Sequence, residues 1–218
     1  MKIKLDVPYR SQHHNKIRND CGAACVAMLV NKSVDEVLTA IDQPPHRPLS
    51  FAHLFAALRH YGVACEFVQP LMIPRIKGEI TDGHPVILLA NYTAVERPQS
   101  QFDGAHFFLG VGVTEGGVLV HDPNWQGDRI DRGYYLALPD ERLEEAMRQP
   151  GWGNQPYQGI VINRVYPSRG GAPPPPPPVE DTLAAVTAEL RIQLDLLDAI
   201  RVLVAELAAL VGVEAESP

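Results

Sequence analysis

The feature that most restricts the fold is a break near the end of the chain. Ser168-Arg169-Gly170-Gly171-Ala172 leads into six consecutive prolines, Pro173 to Pro178. Glycine does not hold one backbone conformation, and proline has no N–H to give to a helix or sheet, so no hydrogen-bonded element crosses this stretch. The prolines set an extended polyproline II rod of about 3.1 Å per residue, roughly 19 Å in all. The chain of 218 residues therefore divides into a domain at 1–168, a Gly/Pro-rich linker at 169–180 and a helical tail at 181–213. The stretch could also be a ligand for a proline-binding domain, but its place between two differently patterned regions makes it a spacer.

Beyond the rod, Leu183, Val186, Leu190, Leu197, Ile200, Val204, Leu207 and Val211 alternate at spacings of three and four, with Gln193 interrupting the seam. An a/d pattern held over four heptads is the signature of a coiled coil rather than of a helix packed on its own domain. Leu196, Leu203 and Leu210 widen the stripe on the g flank, which favours three or more strands. Self-association through residues 183–211, as a trimer or higher, is the expectation. The tail is also the acidic part: residues 179–218 hold eight carboxylates against Arg191 and Arg201, a net of −6, while the whole chain is −7. Residues 1–178 thus carry only −1 and no basic block, which excludes a phosphate-binding surface of the kind nucleic acid requires.

Apolar residues make up 45% and charged residues 21%, enough to bury a real core in the first 168 positions. No apolar run reaches the ~18 residues of a membrane span. The start, Met1 to Asp6, lacks the apolar stretch of a secretory signal. The chain reads as cytoplasmic when synthesised, or as a component released by lysis or carried in a phage particle. Three cysteines, an odd number, do not form a disulfide scaffold.

Patterning within residues 1–168 predicts a short strand at 2–6 and an apolar helix from Cys21 to Asn31 capped by Asn19 or Asp20. A capping box at Ser33-Val34-Asp35-Glu36 opens a second helix reaching about Asp42. A third helix, Phe51 to Tyr61, lies between Ser50 and Gly62. Val63 to Val68 is strand-like, Ile73 to Asp82 helical, and Pro85 to Ala90 an apolar central strand. Phe107–Val113 and Val118–Val120 flank a turn at Thr114-Glu115-Gly116-Gly117 and make a hairpin. A strand at Tyr134–Leu138, a helix at Asp140–Arg148 and a strand at Gly159–Tyr166 follow. Helices gather early and strands late, which defines an α+β fold, a helical layer on a mostly antiparallel sheet.

Cys21 stands out chemically. It occupies the first turn of a helix, where unpaired N–H groups and the positive dipole end stabilise a thiolate. Cys25 is one turn on, faces the apolar side with Met28 and Leu29, and reads as a core thiol. His106 begins a strand whose hairpin partner returns to Asp122-Pro123-Asn124, so imidazole and carboxylate meet near one end of the hairpin. One ring nitrogen on a carboxylate and the other on a thiol is the nucleophile–base–orienter arrangement of a triad. Gln12, upstream, could lend an amide N–H₂ to an oxyanion beside the thiol, although a loop glutamine is ordinarily a solvated side chain. His53 and His60 share one helix face as packing or surface residues, and His46 and His84 sit in loops. Trp125 and Trp152 are either core or cleft. His13-His14 with Cys21 and Cys25 do not follow a closed zinc spacing, so neither metal nor other cofactor is expected.

Several motifs together resemble the bacteriocin-processing cysteine peptidases, papain-like enzymes often found in front of peptide-exporting ABC transporters. Val7-Pro8-Tyr9-Arg10-Ser11-Gln12 and Asn19-Asp20-Cys21-Gly22-Ala23-Ala24-Cys25-Val26-Ala27-Met28-Leu29 look like their glutamine and cysteine motifs. Gly83-His84-Pro85-Val86-Ile87-Leu88-Leu89 is similar to their central strand. Ala105-His106-Phe107-Phe108-Leu109-Gly110-Val111 and Val120-His121-Asp122-Pro123-Asn124 match their histidine and aspartate motifs. The order is kept over about residues 5–165. The resemblance implies a papain-like fold and a thiol protease with Cys21 as nucleophile, His106 as general base, Asp122 as its orienter and Gln12 in the oxyanion hole. The nine-residue step from Gln12 to Cys21 is longer than in the transporter-linked members, which leaves His13 and His14 as rivals of Gln12. Substrates of this class would be a peptide leader, a peptidoglycan crossbridge peptide or a partner protein. The alternative is a catalytically degenerate papain-like module used for binding or assembly and oligomerised by its tail.

Overall fold

A computed structural model describes residues 2–13, 18–95, 104–125 and 127–168. The linker at 169–180 and the coiled coil at 181–213 lie outside the described residues. Twelve regular elements follow in order: β1 (Ile3–Lys4), α1 (Cys21–Val30), α2 (Val34–Ala40), α3 (Phe51–His60), β2 (Cys65–Val68), α4 (Ile73–Thr81), β3 (Val86–Asn91), β4 (Ala105–Thr114), β5 (Gly117–His121), β6 (Leu136–Pro139), α5 (Asp140–Arg148) and β7 (Gly159–Ile162). Short 3-10 turns at Tyr92–Ala94 and Gly127–Gly133 complete the set.

The strands form one antiparallel sheet in the order β2-β7-β3-β4-β5-β6, with β1 pairing beside β4. β3 is buried over Val86–Ala90, as a strand covered on both faces must be. The last strand, β7, enters between β2 and β3. It is shorter than the run to Tyr166 that the apolar pattern predicts. One further in-register bond, from Asn163 N–H to Ala64 O, extends the pairing with β2 before the strand ends.

α1 holds no charged residue, and Gly22 to Leu29 are all buried, the pattern of a helix enclosed on every side. It packs on α2, α3 and β4. A Cβ at Gly22 would lie 3.2 Å from both Leu54 and Phe107, so the absence of a side chain brings the start of α1 close to α3 and β4. α4 packs instead on the side of β4 and β3 reached by Ile80 at Gly110. The helices are thus not a single layer. The Ser33–Glu36 capping box forms as expected, with Ser33 Oγ accepting from Glu36 N–H and Glu36 Oε2 from Ser33 N–H. At Ser50 the third residue of the box is His53, whose Nδ1 accepts from Ser50 N–H at 3.1 Å.

The β4–β5 hairpin closes on a two-residue turn, Glu115-Gly116, with Thr114 opposite Gly117. A bulge at Gly110–Gly112 shifts the register, and the ladder ends at Leu109 opposite His121. Continued on that register, His106 would face position 124. Past that pair the chain after β5 leaves the sheet, while the first residues of β4 stay paired with β3, His106 opposite Ala90.

Candidate active site

Cys21 is the first residue of α1 and is partly exposed. Burial pushes its thiol up, but the charge and hydrogen bond of His106 and the N–H groups of Phe107 and Gly22 outweigh it, and the net shift is downward. Cys25, one turn further, is fully buried, and burial together with the Cys21 and Asp122 charges drives its thiol well above the usual range.

Asp20 does not cap α1, contrary to the expectation from its position. It lies outside the extended conformation a capping residue adopts, and both carboxylate oxygens are engaged elsewhere. Oδ2 accepts from Arg18 Nε at 2.5 Å and Oδ1 from His46 N–H at 2.9 Å. The first-turn N–H groups of α1 are thereby left to the thiol and to whatever approaches it.

His106 is buried, and its Nε2 is 2.9 Å from Asp122 Oδ1. That contact leaves Nδ1 for Cys21. Desolvation lowers the basicity of the ring, but the Cys21 charge, the hydrogen bonds to Asp122 and Cys21 and the Asp122 charge raise it further, to about 9. The opposite shifts have one origin: each group favours the charged form of the other.

Asp122 is fully buried and its charge is met by three donors. Oδ1 also accepts from Asn124 N–H at 3.0 Å, and Oδ2 accepts from Tyr92 Oη at 3.1 Å. The backbone around it is fixed from the start of the chain. Tyr9 Oη donates to Asp122 O at 2.8 Å, Ser11 Oγ to Trp125 O at 2.6 Å, and Gln12 N–H to Pro123 O at 2.9 Å. A Cβ at Gly133 would collide with Asp122 O and the Tyr9 hydroxyl, so only glycine fits where Gly133 O accepts from Asp122 N–H.

The structure brings Cys21, His106 and Asp122 together; Gln12 stands beside them with its amide occupied. Gln12 Nε2 donates to Arg18 O at 2.5 Å and to Asn124 Oδ1 at 3.2 Å, while its buried Oε1 has no partner among the described residues. His13 Nδ1 accepts from Arg18 N–H at 3.1 Å, and its Nε2 lies 2.6 Å from Asn124 Oδ1. These bonds pin residues 12–13 to residue 18, so the long step from Gln12 to Cys21 is closed at its base. His14 lies outside the described residues.

Two further residues, Tyr92 and Asn124, contact Asp122 without belonging to the triad pattern. Tyr92 follows the central strand with no motif to mark it. Asn124 stands within the aspartate motif, yet its contacts to Asp122, His13 and Gln12 follow from folding. Trp125 is buried at 6% exposure and belongs to the core, whereas Trp152 is 61% exposed and its ring covers Gly104. Among the described residues no three His, Cys, Asp or Glu side chains form a group that could hold a metal ion. Among those residues no helix is long and apolar enough to cross a membrane.

A buried His–Asp pair serving a helix-start cysteine, on an antiparallel sheet, is the architecture of papain-like peptidases. Comparison with solved structures bears out that fold. A Bacillus anthracis protein described as a C39-like peptidase superposes with a TM-score of 0.53 at 16% identity, covering 77% of this chain and 100% of its own. The peptidase domain of Streptococcus ComA, a bi-functional ABC transporter involved in quorum sensing, matches at 14% identity and a TM-score of 0.47, covering 74% of this chain and 98% of its own. A double glycine motif protease from an AMS/PCAT transporter, solved with the leader peptide, gives 16%, 0.49, 74% and 98%. No family model and no curated protein matches the sequence. The chain has the C39-like, papain-like peptidase fold.

Proposed function

We propose that residues 1–168 are a cysteine peptidase or amidase acting through Cys21, His106 and Asp122. The observation that carries the reading is the buried His106, bonded through Nε2 to Asp122 and through its second nitrogen to a thiol whose pKa is drawn down. In this reading the Cys21 thiolate attacks the scissile carbonyl carbon, and the C=O pair moves onto oxygen. The oxyanion is met by the N–H groups at the start of α1 and by Gln12 once its amide turns from Arg18 O. As the C–N bond breaks, the His106 imidazolium protonates the leaving amine. Water, deprotonated by the now neutral His106, then attacks the thioester carbonyl and the thiolate departs.

The substrate is a peptide, and candidates are a leader, a peptidoglycan crossbridge or a partner protein. The tail at 181–213 is read as presenting the domain as a homo-oligomer, an arrangement suited to a multivalent target such as a cell wall or to a phage particle. Ending the chain at Gly171 should convert a sedimenting trimer or larger species into a monomer. Monomers in both cases would remove the coiled coil.

One observation favours a non-catalytic, papain-like binding module: both amide N–H groups of Gln12 are spent inside the protein. Reactivity separates the two. Alkylation of Cys21 by iodoacetamide should titrate below the ordinary thiol value, and Cys21→Ala should end peptide turnover while the melting transition is kept. A Cys21 that reacts as a free thiol does leaves only the binding module.

A further inference from the structure

We propose that Tyr92 is a positioning residue for the His106–Asp122 pair, holding both partners at once; this rests on the peptidase reading above. The side chain is 1% exposed and its hydroxyl donates to Asp122 Oδ2 at 3.1 Å. Oδ1 is occupied by His106 and Asn124, so Tyr92 supplies the donor to the other oxygen. The same ring meets the His106 ring edge-on, centroids 4.7 Å apart and planes at 65°, and lies nearly parallel to Phe108 at 6.1 Å, while Phe108 is itself edge-on to His106 at 4.6 Å. Carboxylate rotation and imidazole tilt are therefore limited by one rigid side chain.

The placement is built by the backbone. β3 ends at Asn91, whose Oδ1 accepts from Thr93 N–H at 2.9 Å and opens the 3-10 turn carrying Tyr92. Tyr92 N–H in turn donates to Gly104 O at 2.9 Å, two residues before His106. The turn that aims the phenol is thus fastened to the strand that carries the base.

Without the phenol, Oδ2 loses its donor and the carboxylate is no longer fixed toward His106, so the imidazole that faces the thiol is held less well. The titratable groups around Asp122 include Cys21 and Cys25 from α1, His106 from β4, Tyr92 from the turn, His121 at the end of β5 and Tyr9, whose hydroxyl donates to Asp122 O. His121 is already committed, its Nε2 lying 3.0 Å from Val7 O and its Nδ1 accepting from Tyr135 N–H at 3.2 Å.

The test is the pH dependence of iodoacetamide alkylation of Cys21 in the full chain, comparing wild type, Tyr92→Phe and Tyr92→Leu, with thermal melting alongside. Phe keeps the ring against His106 and removes only the hydroxyl. Its acid limb should move up by about one pH unit, making alkylation below the limb about tenfold slower while alkaline rates converge. Leu, which loses the ring contact too, should be slower again. A Phe variant that melts lower yet titrates as wild type does makes Tyr92 a packing residue and overturns the proposal. A wild type without a depressed thiol limb sinks the peptidase reading instead, so the two failures are distinguishable.

Discussion

Two turns of one helix show what an environment does to a thiol. Cys21 and Cys25 stand one turn apart in α1, yet one thiol is pulled below its usual value and the other driven well above it. Both are desolvated. The difference is that the first turn receives the His106 charge and the N–H groups of Phe107 and Gly22, while the second faces apolar neighbours and the negative Cys21 and Asp122. Residue type gives the potential for chemistry; the charges gathered at one end of the helix decide which copy has it.

The comparison breaks most sharply at His106. His106→Ala removes the cation and a hydrogen-bond partner, and peptide turnover should fall by about 10²- to 10⁴-fold, the ordinary worth of a positioned acid–base. Cys21 should then resist alkylation at neutral pH nearly as Cys25 does, a result readable by mass spectrometry of both peptides. Equal labelling of Cys21 before and after the substitution would dissolve the distinction.

A smaller effect sharpens it through pH. His106 has its folded pKa raised from 6.5 to about 9, so its stabilising contribution is complete below the unfolded value and is lost as pH rises through about 9. Turnover should fall over the same alkaline range, because the leaving amine loses its proton donor. Stability and rate measured from pH 6 to 10 check both at once.

The smallest change is expected at the other thiol. Cys25→Ala should leave Cys21 alkylation and turnover within about twofold of wild type and cost about 1 kcal/mol of stability, the order for deleting one small buried group. Chemical denaturation measures the cost. A loss of turnover comparable to that of His106→Ala would mean that the second turn also takes part.

Local signals carried most of the architecture. The Ser33–Glu36 box, the Glu115-Gly116 turn and the apolar run in β3 are short-range patterns, and each element lies where its residues place it. Side-chain destinations were less legible. Asp20 has the residue type and position of a cap, yet Arg18 and the His46 N–H claim its carboxylate, and His46 is 26 positions away. Of the candidate site, Cys21, His106 and Asp122 could be read because each sits in a patterned segment. Tyr92 could not, since its role depends on a hydroxyl meeting a carboxylate 30 positions later. Nor does a sequence reveal that Gln12 would turn its amide to Arg18 O, a contact made by the segment that lengthens its approach to Cys21.

The strand order has a consequence for how such a molecule comes off the ribosome. β2 finds its ladder partner in β7, and β7 also lines β3, so the middle of the sheet is completed only by residues Gly159–Ile162. Cys21 emerges first, and His106 and Asp122 emerge 85 and 101 residues later. Throughout most of synthesis Cys21 is an ordinary thiol on an unfinished chain, and the surroundings that lower its proton affinity are complete only with the closing of the sheet.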